Sequence, residues 1–341
     1  MAEPLLADVV RPSPVELYRV RDAVTGTRTL RDGIRYHRVR AGVYAPRAAW
    51  DRMAPWERYL ARVHAYALVS PGALFAYESA AALLGLPIFG EPRDIHVYDL
   101  ARTQSRRFGD VFVHTRTDQP DTVTSGGLSM TSVADTAVSL MRVLPAAFGL
   151  AVGDAATSPA QGGTASLYEL ELAGARQPNP RGRALMHLLL ATIDPLSESP
   201  GESVGRGVIV WSGFEPPELQ REFRSEGFTD RADFAWESVQ AIAESDGYGK
   251  YLAETPEETV RRVIREKQRE DRLRRQCREF GRWDMAASIA VTPVIRELDR
   301  MAIPRISAPR AFLLTAMRSN PRSLPRSGAI HRKRDETPSR A

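Results

Sequence analysis

Two proline-bearing helix starts, S-P-G-E at 199–202 and T-P-E-E at 255–258, bracket three strand-like segments. In each start a hydroxyl residue sits at the N-cap. Proline takes the first helical position, where its missing N–H does no harm, and a glutamate falls three residues after the cap, as in a capping box. Between them, Q-R-E-F-R, F-T-D-R-A-D-F-A-W and S-V-Q-A-I-A-E-S-D read as strands. Val239, Ala241 and Ala243 alternate with Gln240, Ile242 and Glu244, a pattern suited to a strand buried on both faces. The expectation is an α-β-β-β-α core.

That core gathers acids. Asp233 and Glu244 face each other across the hairpin of the second and third strands, and Glu244 and Asp246 share a strand face because side chains repeat every second residue. Glu202, on the neighbouring helix, is placed to join them. Without a cation such a cluster repels itself and raises its own pKa values. Oxygen donors of this kind suit Mg²⁺ or Mn²⁺. The metal-ligand candidates are Asp233, Glu244 and Asp246, with Glu202 as an outer acid and Lys250 against a phosphate or water. A cation so held polarises a phosphodiester and activates water.

The remainder of the 341 residues sets the context. Hydrophobic content of 43% and charged content of 26% are those of a globular protein, and no apolar run approaches membrane-spanning length. The N-terminus lacks a basic stretch before its apolar residues, and Cys277 is the sole cysteine. A cytoplasmic protein with no membrane partner is expected. The net charge is +5, but only Lys250, Lys267 and Lys333 are lysines; the basic excess is arginine and concentrates after residue 316. That distribution makes charge a weak pointer to nucleic acid.

V-E-L-Y-R-V-R-D-A-V reads as a brief helix and R-Y-H-R-V-R-A-G-V-Y as a strand pair turning at Gly42. Residues 1–50 are thus expected to form a short winged-helix-like arm or a docked β arm. Residues 51–194 read as a mainly helical region, with D-I-H-V-Y and D-V-F-V-H-T as its hairpin and Thr131 as the N-cap of the helix that follows. His96 and His114 on those strands lack a metal-like partner set and read as structural. Residues 195–285 hold the core above, 286–315 an extension, and 316–341 a disordered basic tail. In the helix opened by T-P-E-E, Val260, Val263 and Ile264 predict docking by the first half and a wet second half. Its Arg-rich composition leaves a solvated face and a DNA groove both open.

S-P-G-E-S, R-A-D-F, A-E-S-D-G-Y-G-K-Y and R-E-K-Q-R-E-D-R-L together resemble the endonuclease-like domain related to very-short-patch repair nucleases, a branch of the PD-(D/E)xK restriction-endonuclease fold. Residues 27–155, through A-G-V-Y, Y-E-S-A-A-A-L-L-G-L-P, I-H-V, V-H-T and L-S-M-T-S-V-A-D-T-A, are similar to the region preceding this domain in actinobacterial relatives of type IV abortive-infection antitoxins (AbiEi-like). The resemblance implies an α+β multidomain chain with a restriction-endonuclease-like α/β core. It places the first-motif aspartate on Asp233, the E-x-K glutamate on Glu244 and the helix glutamate on Glu202. The lysine position holds Asp246, and Lys250 matches the residue that ends the E-x-D-G stretch in this branch. The implied activity is Mg²⁺- or Mn²⁺-dependent cleavage of double-stranded DNA in phage defence or repair. The departure at Asp246 keeps open a non-catalytic repressor or antitoxin with an operator or a cognate toxin as partner.

Overall fold

The computed structural model describes residues 10–22, 30, 32–246, 256–315 and 319–325. The chain is a mixture of helices and three sheets, and no helix among the described residues is long and apolar enough to cross a membrane.

The first sheet is small and antiparallel. Strand β2 (Tyr36–Arg40) returns as β3 (Val43–Pro46) through the turn at Gly42, and β1 (Tyr18–Arg19) pairs on the other edge of β3. Of the brief helix expected over 15–24, the described residues 15–22 form none: Tyr18 and Arg19 are strand, and Val20–Asp22 make one tight turn. Helix α1 (Arg47–Arg52) and helix α2 (Pro55–Val69) follow, the latter entered by a proline at its first position.

The middle region is a sheet domain as much as a helical one. Six strands lie in the order β6-β7-β5-β4-β9-β8, namely Arg106–Phe108, Val111–His114, Ile95–Tyr98, Leu74–Phe75, Leu128–Thr131 and Thr122–Ser125. The expected hairpin of D-I-H-V-Y with D-V-F-V-H-T is wrong. Those strands pair in parallel, Ile95 opposite Val111 and Tyr98 opposite His114. The hairpin joins β6 to β7 instead, through Gly109 and Asp110, with Gly109 at φ +58° in the left-handed region a two-residue loop demands. Helix α3 (Tyr77–Leu84) packs on this sheet. Thr131 ends β9 rather than capping; Ser132 caps helix α4 (Val133–Met141), its hydroxyl accepting the Asp135 N–H.

Helices α5 (Ala146–Thr157), α6 (Leu167–Arg176) and α7 (Arg183–Leu190) then build the largest core. Helix α5 is buried almost all round, so it carries no polar stripe.

The C-terminal sheet runs β10-β11-β12-β13 (Glu218–Ser225, Phe228–Trp236, Ala241–Asp246, Glu279–Asp284). Helix α8 (Pro200–Trp211) covers one face and helix α9 (Pro256–Arg274) the other. The three expected strands form, and a fourth, β13, lies parallel to β12 with α9 as its crossover. Helices α10 (Met285–Ala290), α11 (Thr292–Arg300) and α12 (Ala311–Thr315) close the domain. Of the residues expected as a disordered tail, 319–325 dock on Phe89–Arg93, and 316–318 and 326–341 lie outside the described residues.

Candidate active site

Strands β11 and β12 pair only from Trp236↔Ala241 to Phe234↔Ala243, and then they fork. At the fork the Asp233 side chain replaces the ladder: its Oδ2 accepts the Ser245 N–H at 2.7 Å. On the other side the pairing with β10 runs Leu219↔Phe234 and Arg221↔Ala232, passing over Gln220 and Asp233. Gln220 has φ +53°, a left-handed backbone unusual for a strand residue. Strand β11 turns over there. Phe234 and Trp236 pack in the core under α8, whereas Ala232, which a regular strand would put on the same face, packs with Ile242, Leu273 and Phe280 under α9.

Two acids flank Asp233. Glu202, at the start of α8, is 6% exposed; its backbone N–H reaches the Ser199 hydroxyl at 3.2 Å. Its Oε2 accepts the Glu198 N–H at 2.8 Å and the Gln220 amide at 2.9 Å. The expected capping box is thus shifted, because the carboxylate reaches the N–H before the cap residue. Glu244 is 8% exposed, with one oxygen against the Arg269 guanidinium from α9 and Oε1 buried without a hydrogen-bond partner. Burial first, and the Asp233 charge second, push Glu202 and Glu244 each up to about 7. Arg269 pulls Glu244 the other way and is outweighed.

Asp246 is elsewhere engaged. It pairs with Arg282 of β13, which also holds Glu270 at 2.8 Å and Glu266 at 3.3 Å. Lys250 lies outside the described residues. The structure therefore brings Glu202, Asp233 and Glu244 into one electrostatic group and gives Asp246 to an exposed ion network. Arg206 and Arg231 serve other acids, Asp154 and Glu198.

Gln220 and Arg269 were not legible as site residues. Arg269, Arg272 and Leu273 share a helix face by their i, i+3, i+4 spacing, and this was the available signal. That face docks: Arg272 grips Asp230 through two bonds of 2.7 Å, and Leu273 is buried. Val260, Val263 and Ile264 are half exposed or more, the reverse of the expected docking.

Oxygen donors, one of them orphaned and buried at Glu244, fit a hard divalent cation. No three acids or histidines among the described residues stand as a ready ligand set, and Arg269 of α9 is paired with Glu244. An open groove of about 800 Å³ bordered by Arg40, Tyr66, Tyr98 and Phe108 contains none of these acids, and its Arg40 is already paired with Asp110. Compared with protein families, with curated proteins and with solved structures, the chain has no match.

Proposed function

We propose that the fork of β11 and β12 is the active site of a metal-dependent DNA endonuclease. The observation that carries this reading is the pair of buried glutamates held near neutral pKa on either side of Asp233. Burying Glu202 and Glu244 beside the half-buried Asp233 is unfavourable unless a cation compensates the three acids. The reading also rests on the resemblance of R-A-D-F and A-E-S-D-G to very-short-patch repair nucleases. Asp233 and Glu244 would hold Mg²⁺ or Mn²⁺, with Glu202 acting through water. A bound cation supplies charge to the phosphodiester and lowers the pKa of a water. The Ser245 N–H fixes the Asp233 carboxylate, and Gln220 fixes Glu202.

The test is cleavage of several unrelated duplexes across Mg²⁺ and Mn²⁺ concentrations, with calorimetry for cation binding. Cleavage abolished by Asp233→Asn, with folding retained, is expected. No cleavage and no bound cation would sink the enzyme.

A second reading has its own support. Arg269 on Glu244 and Arg282 on Asp246 neutralise these acids from within, as a scaffold would. The protein would then be a non-catalytic repressor or antitoxin. The β2–β3 hairpin would serve as its wing on operator DNA, or the chain would engage a cognate toxin. Operator binding without cleavage is its expected outcome in the same experiment.

A further inference from the structure

In the middle region, far along the chain from the acids of the fork, Glu78 of α3 is 4% exposed and His96 of β5 is 3% exposed. The guanidinium that neutralises Glu78 comes from Arg322. One guanidinium edge takes the carboxylate side-on: Nε bonds one carboxylate oxygen, and Nη2 bonds the other at 2.6 Å. The same Nη2 lies 3.1 Å from His96 Nε2, and the guanidinium stands 5.3 Å from the Tyr77 ring centre. Tyr77 holds φ +49°, a strained conformation for an aromatic residue.

The proton arrangement follows from the donors. A guanidinium only donates, so His96 Nε2 must present its lone pair. The His96 proton then sits on Nδ1 and is given to His114 Nε2, 2.9 Å away. The carboxylate thus takes the guanidinium bidentately, with the imidazole at its end and the aromatic ring beneath it, a receptor of the kind that selects arginine over lysine.

Everything else about the docked segment is shallow. Of residues 319–325 only Asn320, Arg322 and Ser323 are even partly buried. The segment is laid down by backbone bonds, Arg93 N–H to Arg322 O at 2.8 Å and Leu324 N–H to Glu91 O at 2.7 Å. The segment passes close over Gly90, where a Cβ would meet the Ser323 side chain.

We propose that Glu78, His96 and Tyr77 form a guanidinium-binding site, which the chain's own Arg322 fills as the charged anchor of a releasable C-terminal strap. The ligand class is an arginine side chain on an extended peptide.

The test uses the full-length chain and methylguanidinium as probe. In Arg322→Ala the Arg93 and Leu324 amides should exchange with solvent about tenfold faster or more, as local opening becomes easier. Millimolar methylguanidinium should raise the melting temperature of Arg322→Ala and leave wild type unmoved, because its site is full. The rescue should vanish when Glu78→Gln is added. Should Arg322→Ala not fold, Arg322→Lys keeps a charge but not the fork and should show the same amide opening and the same rescue. Equal responses of wild type and variant to methylguanidinium, or unchanged amide protection, would overturn the proposal.

Discussion

Glu202 and Glu244 make stability depend on pH with a sign opposite to that of an ordinary salt-bridged acid. Each rises from 4.5 in the free side chain to about 7 in the fold. The folded state then holds protons that the unfolded chain has released, so stability declines as pH climbs from 4.5 through 7 and levels off above. The decline is about 3–4 kcal/mol at most for each group. The Asp233 charge contributes to both shifts, and Asp233→Asn should therefore flatten the decline and make the protein more stable than wild type at pH 8. The amide oxygen of asparagine can still accept the Ser245 N–H, which keeps the fork intact. Urea midpoints measured from pH 5 to 8 in the presence of a chelator decide it. Parallel curves for the two proteins would show that Asp233 does not drive the shifts.

Among the elements, α9 shows how a periodic pattern misleads when charge does the docking. Val260, Val263 and Ile264 have the right spacing for a buried stripe, yet they face solvent. The face that packs carries Glu266, Arg269, Glu270 and Leu273, whose partners Arg282 and Glu244 sit on β13 and β12. A single helix sequence does not reveal those partners, so the charged stripe read as wet. Leu273→Ala should cost about 2–4 kcal/mol, because the side chain is buried between Ala232, Ile242 and Phe280. Val263→Ser and Ile264→Ser should stay within about 0.5 kcal/mol of wild type. Denaturant titration of the three variants tests this, and a large loss at Ile264 would return the docking to the first half. What was legible had local chemistry behind it: the Ser199–Pro200 start of α8 and the strands carrying Asp233 and Glu244 all form. The parallel pairing of β5 with β7 was not, because both strand orders share the same alternation and only the short strand β6 between them decides.

Across the whole molecule, the division expected at residue 194 does not divide the core. Leu140, Phe148 and Leu150 pack in one cluster with Val208, Trp211 and Phe234. Helix α5 lies against α8, and the buried Asp154 of α5 takes the Arg206 guanidinium of α8 at 2.7 and 2.9 Å. The Asp194 N–H completes that carboxylate at 3.0 Å, so the junction itself is bonded into the pair. Burial raises the Asp154 pKa even with Arg206 beside it, which marks the pair as deeply desolvated. Pairs of this kind contribute little net stability when complete, but losing one partner strands a charge. Asp154→Ala leaves the Arg206 guanidinium buried, with the Thr192 carbonyl at 2.6 Å still accepting from it, and should cost about 3–5 kcal/mol. Because the core is shared, the loss should fall on both sides of residue 194 at once. Calorimetry should show the main endotherm moving down as one transition, with tryptophan fluorescence and helix circular dichroism following the same midpoint. A second endotherm that keeps its wild-type temperature in Asp154→Ala would mean that the sheet carrying Asp233 and Glu244, with the α8 helix carrying Glu202, folds apart from the helices before residue 194, and the shared-core account would fall.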